Sequence, residues 1–164
     1  MSVYAEEKLI GQARLLAAEY RRTMGKPLPG ISSEIALHDA MRLLSLVPAD
    51  GTVGGIDAID PNRDNKNIQI KSRTIFDETQ SGQRIGQVNV EQCWDSVLLV
   101  LMDEEYEPYE IYEAERTELL EYMQKSSSSR ARRGALSVAR FKIIGNLVWA
   151  RDGGLEPDIW DNQA

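Results

Sequence analysis

The run CWDSVLLVLM, residues 93–102, restricts the fold of this chain more than any other segment. From Val97 to Met102 every residue is apolar, so a strand here has no polar face to turn to water. It must lie inside a sheet with apolar layers against both faces. The acidic turn DEEYEP at 103–108 follows, and EPYEIYEA then reads as the returning strand of an antiparallel hairpin. The covering layers are legible on either side. In residues 4–24, Leu9, Ala13, Leu16, Tyr20 and Met24 recur at three- and four-residue steps, which predicts an amphipathic helix packed through that stripe. GKPLPG at 25–30 ends it. A second helix is expected from a Ser32 or Ser33 cap to about Leu46, burying Leu37, Ala40, Met41 and Leu44. Strands are expected over 52–59, 67–75, 94–102 and 109–114, and a short helix over 116–125. A last helix is expected over 138–150, capped by Ser137. Helices, then a mixed sheet of four or more strands, then helices describe an α/β sandwich.

The chain has 164 residues, enough for one hydrophobic core and short for two. We therefore read 1–164 as one domain: an N-terminal helix and loop (1–30), a core (31–115), C-terminal helices (116–150) and an acidic, loose tail (151–164). No apolar run approaches the roughly 20 residues that cross a bilayer, so no membrane partner is expected. The N-terminus has no basic region followed by an apolar block, and no secretory signal is read there. The single cysteine, Cys93, cannot form an internal disulfide, which favours a reducing, cytoplasmic location. Beside Trp94 it is expected in the core. The formal charge is −7, which by itself disfavours a nucleic-acid partner, since phosphate neutralisation supplies most of that affinity. The distribution is uneven, however. Acids crowd residues 103–121, a possible docking surface for a basic protein partner. Residues 125–142 carry Lys125, Arg130, Arg132, Arg133, Arg140 and Lys142 with no acid.

The segment GGIDAIDPNRDNKNIQIKSR, residues 54–73, holds the chemistry. Side chains alternate across a strand. If Ile56 and Ala58 share a core with Ile68 and Ile70 across an antiparallel pair, Asp57, Gln69 and Lys71 lie together on the other face, with Asp57 opposite Gln69. A carboxylate and an amide oxygen are hard ligands suited to Mg²⁺ or Mn²⁺, and the Ile70 carbonyl offers a third. The Lys71 ammonium can orient a water and stabilise charge building on a phosphate. Asp60 points to the opposite face of a regular strand and joins this set only if the chain bends.

Glu34, then GID with Asp57, then Gln69-Ile70-Lys71 resembles the PD-(D/E)xK nuclease superfamily in residue type and chain order, over roughly residues 30–115. The segments EYRRTMGKPLPG, QIKSR, SGQRIG and WDSVLLVLMDEE further resemble a group of small uncharacterised bacterial proteins within it. The resemblance implies a restriction-endonuclease-like α/β/α sandwich and metal-dependent hydrolysis of DNA. It assigns Glu34, Asp57, Gln69 and Lys71 as catalytic residues, with Asp57, Gln69, the Ile70 carbonyl and Glu34 around the metal. Gln69 stands where the family usually has Asp or Glu. Active members with Gln there exist as a class, but the metal site loses one negative charge. Glu34 is expected beside the buried stripe of its helix, where an acid needs a partner.

Arg73, Arg84, Arg130, Arg132 and Arg133 are the candidate phosphate contacts. Arg84 stands in a loop expected over 77–87, and the last three stand in SSSSRARRG, the only low-complexity stretch. His38, one turn after Glu34, is read as a partly buried structural histidine. GTVGG has the wrong spacing for a dinucleotide fingerprint, and Trp94, Trp149 and Trp160 are too scattered to form a stacking platform. One active site cuts one strand, so a homodimer would suit double-strand cleavage. The competing reading is a catalytically inactive protein of the same fold that binds nucleic acid or a protein partner.

Overall fold

A computed structural model of the chain describes residues 2–77, 79 and 82–156. The apolar run forms β5 (Ser96–Met102), buried at every position. On one side β3 (Lys66–Thr74) runs parallel to it, and on the other β6 (Pro108–Glu115) returns antiparallel. Outside β3 lie β2 (Ala58–Asp60) and β1 (Val47–Pro48). Outside β6 lie β8 (Asn146–Ala150) and β9 (Gly154–Leu155), giving a seven-stranded mixed sheet of order β1-β2-β3-β5-β6-β8-β9. A separate antiparallel pair joins β4 (Arg84–Gln87) to β7 (Ala135–Ser137).

Alternation along the central strands sorts the core into two layers, as a sheet buried on both faces requires. Ile68, Leu98, Val100, Met102 and Ile111 pack with Ala17 and Ala18 of α1 (Val3–Met24) and with Ile35, Ala36 and Ala40 of α2 (Ile31–Leu43). Val97, Leu99, Leu101 and Ala114 face the other way. They meet Ile85 of β4, Leu136 of β7, Leu119 of α3 (Arg116–Lys125), Ala131 of α4 (Ser129–Arg132) and Phe141 of α5 (Val138–Ile144). The chain is thus mixed α/β with helices on both faces of the sheet. Among the described residues no helix is long and apolar enough to cross a membrane.

Buried ion pairs tie the layers together. Arg14 of α1 grips Asp39 of α2 through two bonds of 3.0 and 2.9 Å, and it also donates to the Tyr106 carbonyl in the β5–β6 turn. At the other end of that face Arg63 bonds Asp60 at 2.7 Å and both oxygens of Glu113 at 2.6 and 2.9 Å, while Ser96 donates to Glu113 at 2.7 Å. Each of these carboxylates is buried, and a buried charge survives only with such partners.

Several elements differ from the sequence reading for identifiable reasons. Leu9, Leu16 and Met24 of α1 are exposed, because the helix packs through Ile10, Ala13, Ala17 and Ala18, whose alanines allow close approach to its neighbour. Helix α2 starts at Ile31 behind Gly30, with no side-chain cap; Ser33 instead donates to the Gly30 carbonyl. The strand expected over 52–59 is confined to β2 at 58–60, preceded by bends and turns over 51–55. The segment 77–87 contributes β4 rather than loop alone. The expected helix over 138–150 is capped by Ser137 as read, but it stops at Ile144 and becomes β8. Gly145 is the reason: a Cβ there would lie 2.6 Å from the Glu113 carbonyl oxygen, so only glycine lets the chain pass against β6 and join its edge. Cys93 is exposed, while its neighbour Trp94 is fully buried. Trp160 and most of the acidic tail lie outside the described residues.

Candidate active site

The site forms where β2 parts from β3. Their last paired residues are Ala58 and Ile68, so Asp57 faces Gln69 one step further. There the Asp57 N–H donates to the Ile68 carbonyl at 2.8 Å, and its carboxylate accepts the Ile70 N–H at 2.7 Å. The side chain has replaced the strand carbonyl that would have met Ile70 had β2 continued. Asn67 presents its carbonyl to the β5 side, accepting Asp95 N–H at 2.7 Å. Main-chain groups alternate in direction along a strand, so the Ile70 carbonyl points to the β2 side, at the open fork beside Asp57.

Gln69 is 8% exposed. Its amide nitrogen donates to the Gly55 carbonyl at 3.0 Å and to Gln92 Oε1 at 2.9 Å. The Gly55 carbonyl can only accept, so it fixes which end of the amide is nitrogen. Gln69 Oε1 is therefore left buried without a hydrogen-bond partner among the described residues. Such an oxygen is costly unless something electropositive meets it.

Lys71 and Arg73 follow Gln69 on the same face of β3, in register with Leu99 and Leu101. Burial holds the Lys71 ammonium below its ordinary range, and the charge of Arg73 adds to this while Asp57 opposes it. Burial also lowers Arg73. Two half-buried cations, of which Asp57 offsets Lys71, make the rim of the fork electropositive. A Cβ placed on Gly86 of β4 would stand 3.4 Å from Arg73 Nη2 and 4.0 Å from Lys71 Nζ, which brings β4 against the same rim. Arg73 Nε donates to the Arg84 carbonyl.

The structure thus gathers Asp57, Gln69, Ile70 and Lys71, and it adds Gly55 and Gln92, which the sequence reading did not single out. Their signal is weak, because a main-chain carbonyl in a turn and a glutamine 23 residues away show no pattern. Glu34 is not gathered with them. It is exposed, and it lines a shallow groove between α1 and α2 with Glu6, Leu9, Ile10, Leu37, His38 and Met41. The buried stripe of α2 runs through Ile35, Ala36, Asp39 and Ala40, one position on from Glu34, so its carboxylate meets water. His38 is partly buried in that groove. Asp60 is fully buried and engaged by Arg63, on the opposite face from Gln69.

Oxygen donors of one carboxylate, one amide and one carbonyl suit a small divalent cation. The orphaned Gln69 Oε1 is the feature that such an ion would satisfy. With a single negative charge the set would bind weakly, and among the described residues no three His, Cys, Asp or Glu side chains come together as a metal group.

No protein-family model matches this chain, and no curated protein matches its sequence.

Among the described residues, eight of the nineteen basic side chains stand in ion pairs: Arg14, Arg22, Arg42, Arg63, Lys66, Lys125, Lys142 and Arg151. Lys71, Arg73, Arg84, Arg130, Arg132, Arg133 and Arg140 have no acidic partner among the described residues. These seven belong to β3, β4, α5 or α4 and its C-terminal cap, on the site's side of the sheet; the other four without an acidic partner among the described residues are Lys8 and Arg21 of α1, Lys26 after it, and Arg116 of α3. The acids of 103–121, by contrast, are largely neutralised. Asp103, Glu105, Glu107, Glu110, Glu113, Glu115 and Glu121 each hold a Lys or Arg, so this segment presents much less free charge than its sequence implies.

Proposed function

We propose that this protein is a metal-dependent DNA endonuclease with a restriction-endonuclease-like fold of the PD-(D/E)xK type. The observation that carries this reading is the buried, partnerless Gln69 Oε1 beside the Asp57 carboxylate, with Lys71 next on the same strand face. Asp57, Gln69 Oε1 and the Ile70 carbonyl would hold Mg²⁺ or Mn²⁺. Such an ion, when bound, supplies positive charge to the phosphate oxygens as negative charge builds there. Lys71 holds the attacking water and donates to the phosphate. Water adds to phosphorus and the bond to the sugar oxygen breaks. One water proton ends on the leaving alcohol; the oxygen and the other proton end on the phosphate monoester. The unpaired arginines on the same side hold the DNA backbone. One site cuts one strand, so double-strand cleavage needs two copies. Glu34, exposed on α2, is left out of the metal set.

The single carboxylate favours a second reading, a protein of the same fold that binds nucleic acid without cutting it. Calorimetric titration with Mn²⁺ beside nicking of supercoiled plasmid separates the two. Wild type is expected to bind the ion and nick. Asp57→Asn should lose both, and Lys71→Met should lose nicking by at least about 100-fold while keeping its fold. Absence of both ion binding and nicking in wild type would leave only the second reading.

A further inference from the structure

A groove of about 220 Å³ opens between β4, β7, α4 and α5, and Arg84, Arg130 and Arg140 line it with Tyr122, Ser128 and Ser137. No carboxylate lines it, and none of the three arginines has an acidic partner among the described residues. Ser128 Oγ accepts the Ala131 N–H at 3.3 Å and Ser137 Oγ accepts the Arg140 N–H at 3.1 Å. Each oxygen thus accepts one main-chain bond, while its hydroxyl proton is free to turn to a ligand. Arg140 lies over the Tyr122 ring at 5.3 Å, which restricts how far that guanidinium can wander. Three guanidiniums and donor hydroxyls with no anion among them make a receptor for a group rich in acceptor oxygens.

β4 links the groove to the candidate active site. Arg84 lines the groove, the Arg84 carbonyl accepts from Arg73, and Gly86, two residues along β4, lies against both Arg73 and Lys71. β4 therefore sets the groove beside the rim of the candidate site. We infer that this groove seats a non-scissile phosphate of the nucleic-acid strand whose neighbouring phosphodiester lies at Asp57, Gln69 and Lys71. This rests on the nuclease reading for the second half of the claim, but the groove's phosphate contact itself requires no metal and no cleavage. Arginines and hydroxyls that reach phosphate oxygens carry no base information, so the grip is independent of sequence.

The test is fluorescence anisotropy of a labelled single-stranded oligonucleotide in metal-free buffer, over a salt series, with full-length protein. Wild type is expected to bind with a steep salt dependence. The triple variant Arg84→Gln, Arg130→Gln, Arg140→Gln should lose at least about tenfold in affinity, and the slope of log K against log salt should fall by about two, at roughly 0.7 per phosphate contact on a single strand. The loss is read without metal and without cleavage, so it stands whether or not the protein binds Mn²⁺ or nicks plasmid, which separates this claim from the catalytic one. Should the triple variant melt early, Arg130→Gln alone, at an exposed position, is expected to lower the slope by about 0.7. Wild-type affinity and slope in these variants would overturn the proposal. So would a wild-type protein that takes up inorganic phosphate in this groove, read from arginine side-chain NMR shifts, yet does not bind the strand.

Discussion

Gln69 is the residue on which the site turns, and its partners explain why an amide stands there. Its nitrogen donates to the Gly55 carbonyl at 3.0 Å, a contact that no carboxylate can make. Gln69→Glu would set an anionic oxygen against that carbonyl and against Gln92 Oε1. The metal-free protein is expected to lose about 1–3 kcal/mol. The same change returns a negative charge to the oxygen set, so affinity for Mn²⁺ should rise and the ion should recover part of the lost stability. Urea unfolding with a chelator and with Mn²⁺, on both proteins, reads both effects. Equal stability of the two in chelator would show that the Gly55 contact does not hold the amide. This part of the site was legible in the sequence, since the parity of Ile68 and Ile70 against Asp57, Gln69 and Lys71 follows from alternation alone. Two things were not legible. The Gly55 and Gln92 contacts depend on a turn whose path no periodicity encodes. The exposure of Glu34 depends on which of two adjacent helical stripes α2 turns inward.

At the scale of elements, long periodic segments were readable and short ones were not. β3, β5, β6 and α3 each carry a pattern over seven residues or more, and their positions match the sequence reading to within about two residues. β4 and β7 have four and three residues, too few for alternation to stand out from loop. They matter out of proportion to their length, because they carry Arg84 and Ser137 into the arginine groove and Gly86 against Lys71. Their junction is built around Gly134, which has φ +86° and donates to the Ala131 carbonyl while its own carbonyl accepts the Val88 N–H at 2.9 Å. A Cβ there would lie 2.2 Å from the Val88 carbonyl oxygen. Gly134→Ala is therefore expected to cost at least about 2 kcal/mol. The loss should be local at first. Hydrogen exchange should speed up in 84–88 and 134–137 while β3 and β5 stay protected. Uniform acceleration across the sheet would mean that the β4–β7 pair is part of the global folding unit.

For the whole molecule, net charge hides a division of labour. Most of the acids of 103–121 stand in ion pairs, whereas seven of the eleven cations without an acidic partner among the described residues collect around the fork and the arginine groove. A chain of net charge −7 can thereby present a basic face. The division makes stability sensitive to acid through Glu113, which joins Arg63 and Ser96 and so links β2, β5 and β6 at one end of the sheet. Burial opposes its charge, but the bonds to Arg63 outweigh that and hold its carboxyl below the ordinary value of 4.5. A depressed carboxylate contributes its stability above that ordinary value and loses it as pH falls through the lower folded value. Unfolding free energy should therefore drop as pH falls below about 4.5. Glu113→Gln should cost about 3 kcal/mol at pH 7, because the buried Arg63 guanidinium loses the anionic partner it holds through two bonds. Its deficit relative to wild type should shrink as the pH falls, since protonation brings the wild-type side chain to the same uncharged state. Urea titrations at pH 7, 5 and 3 measure the difference. A deficit that stays constant across that range would show that Glu113 acts through shape rather than charge, and that the sheet does not depend on this ion network for its acid response.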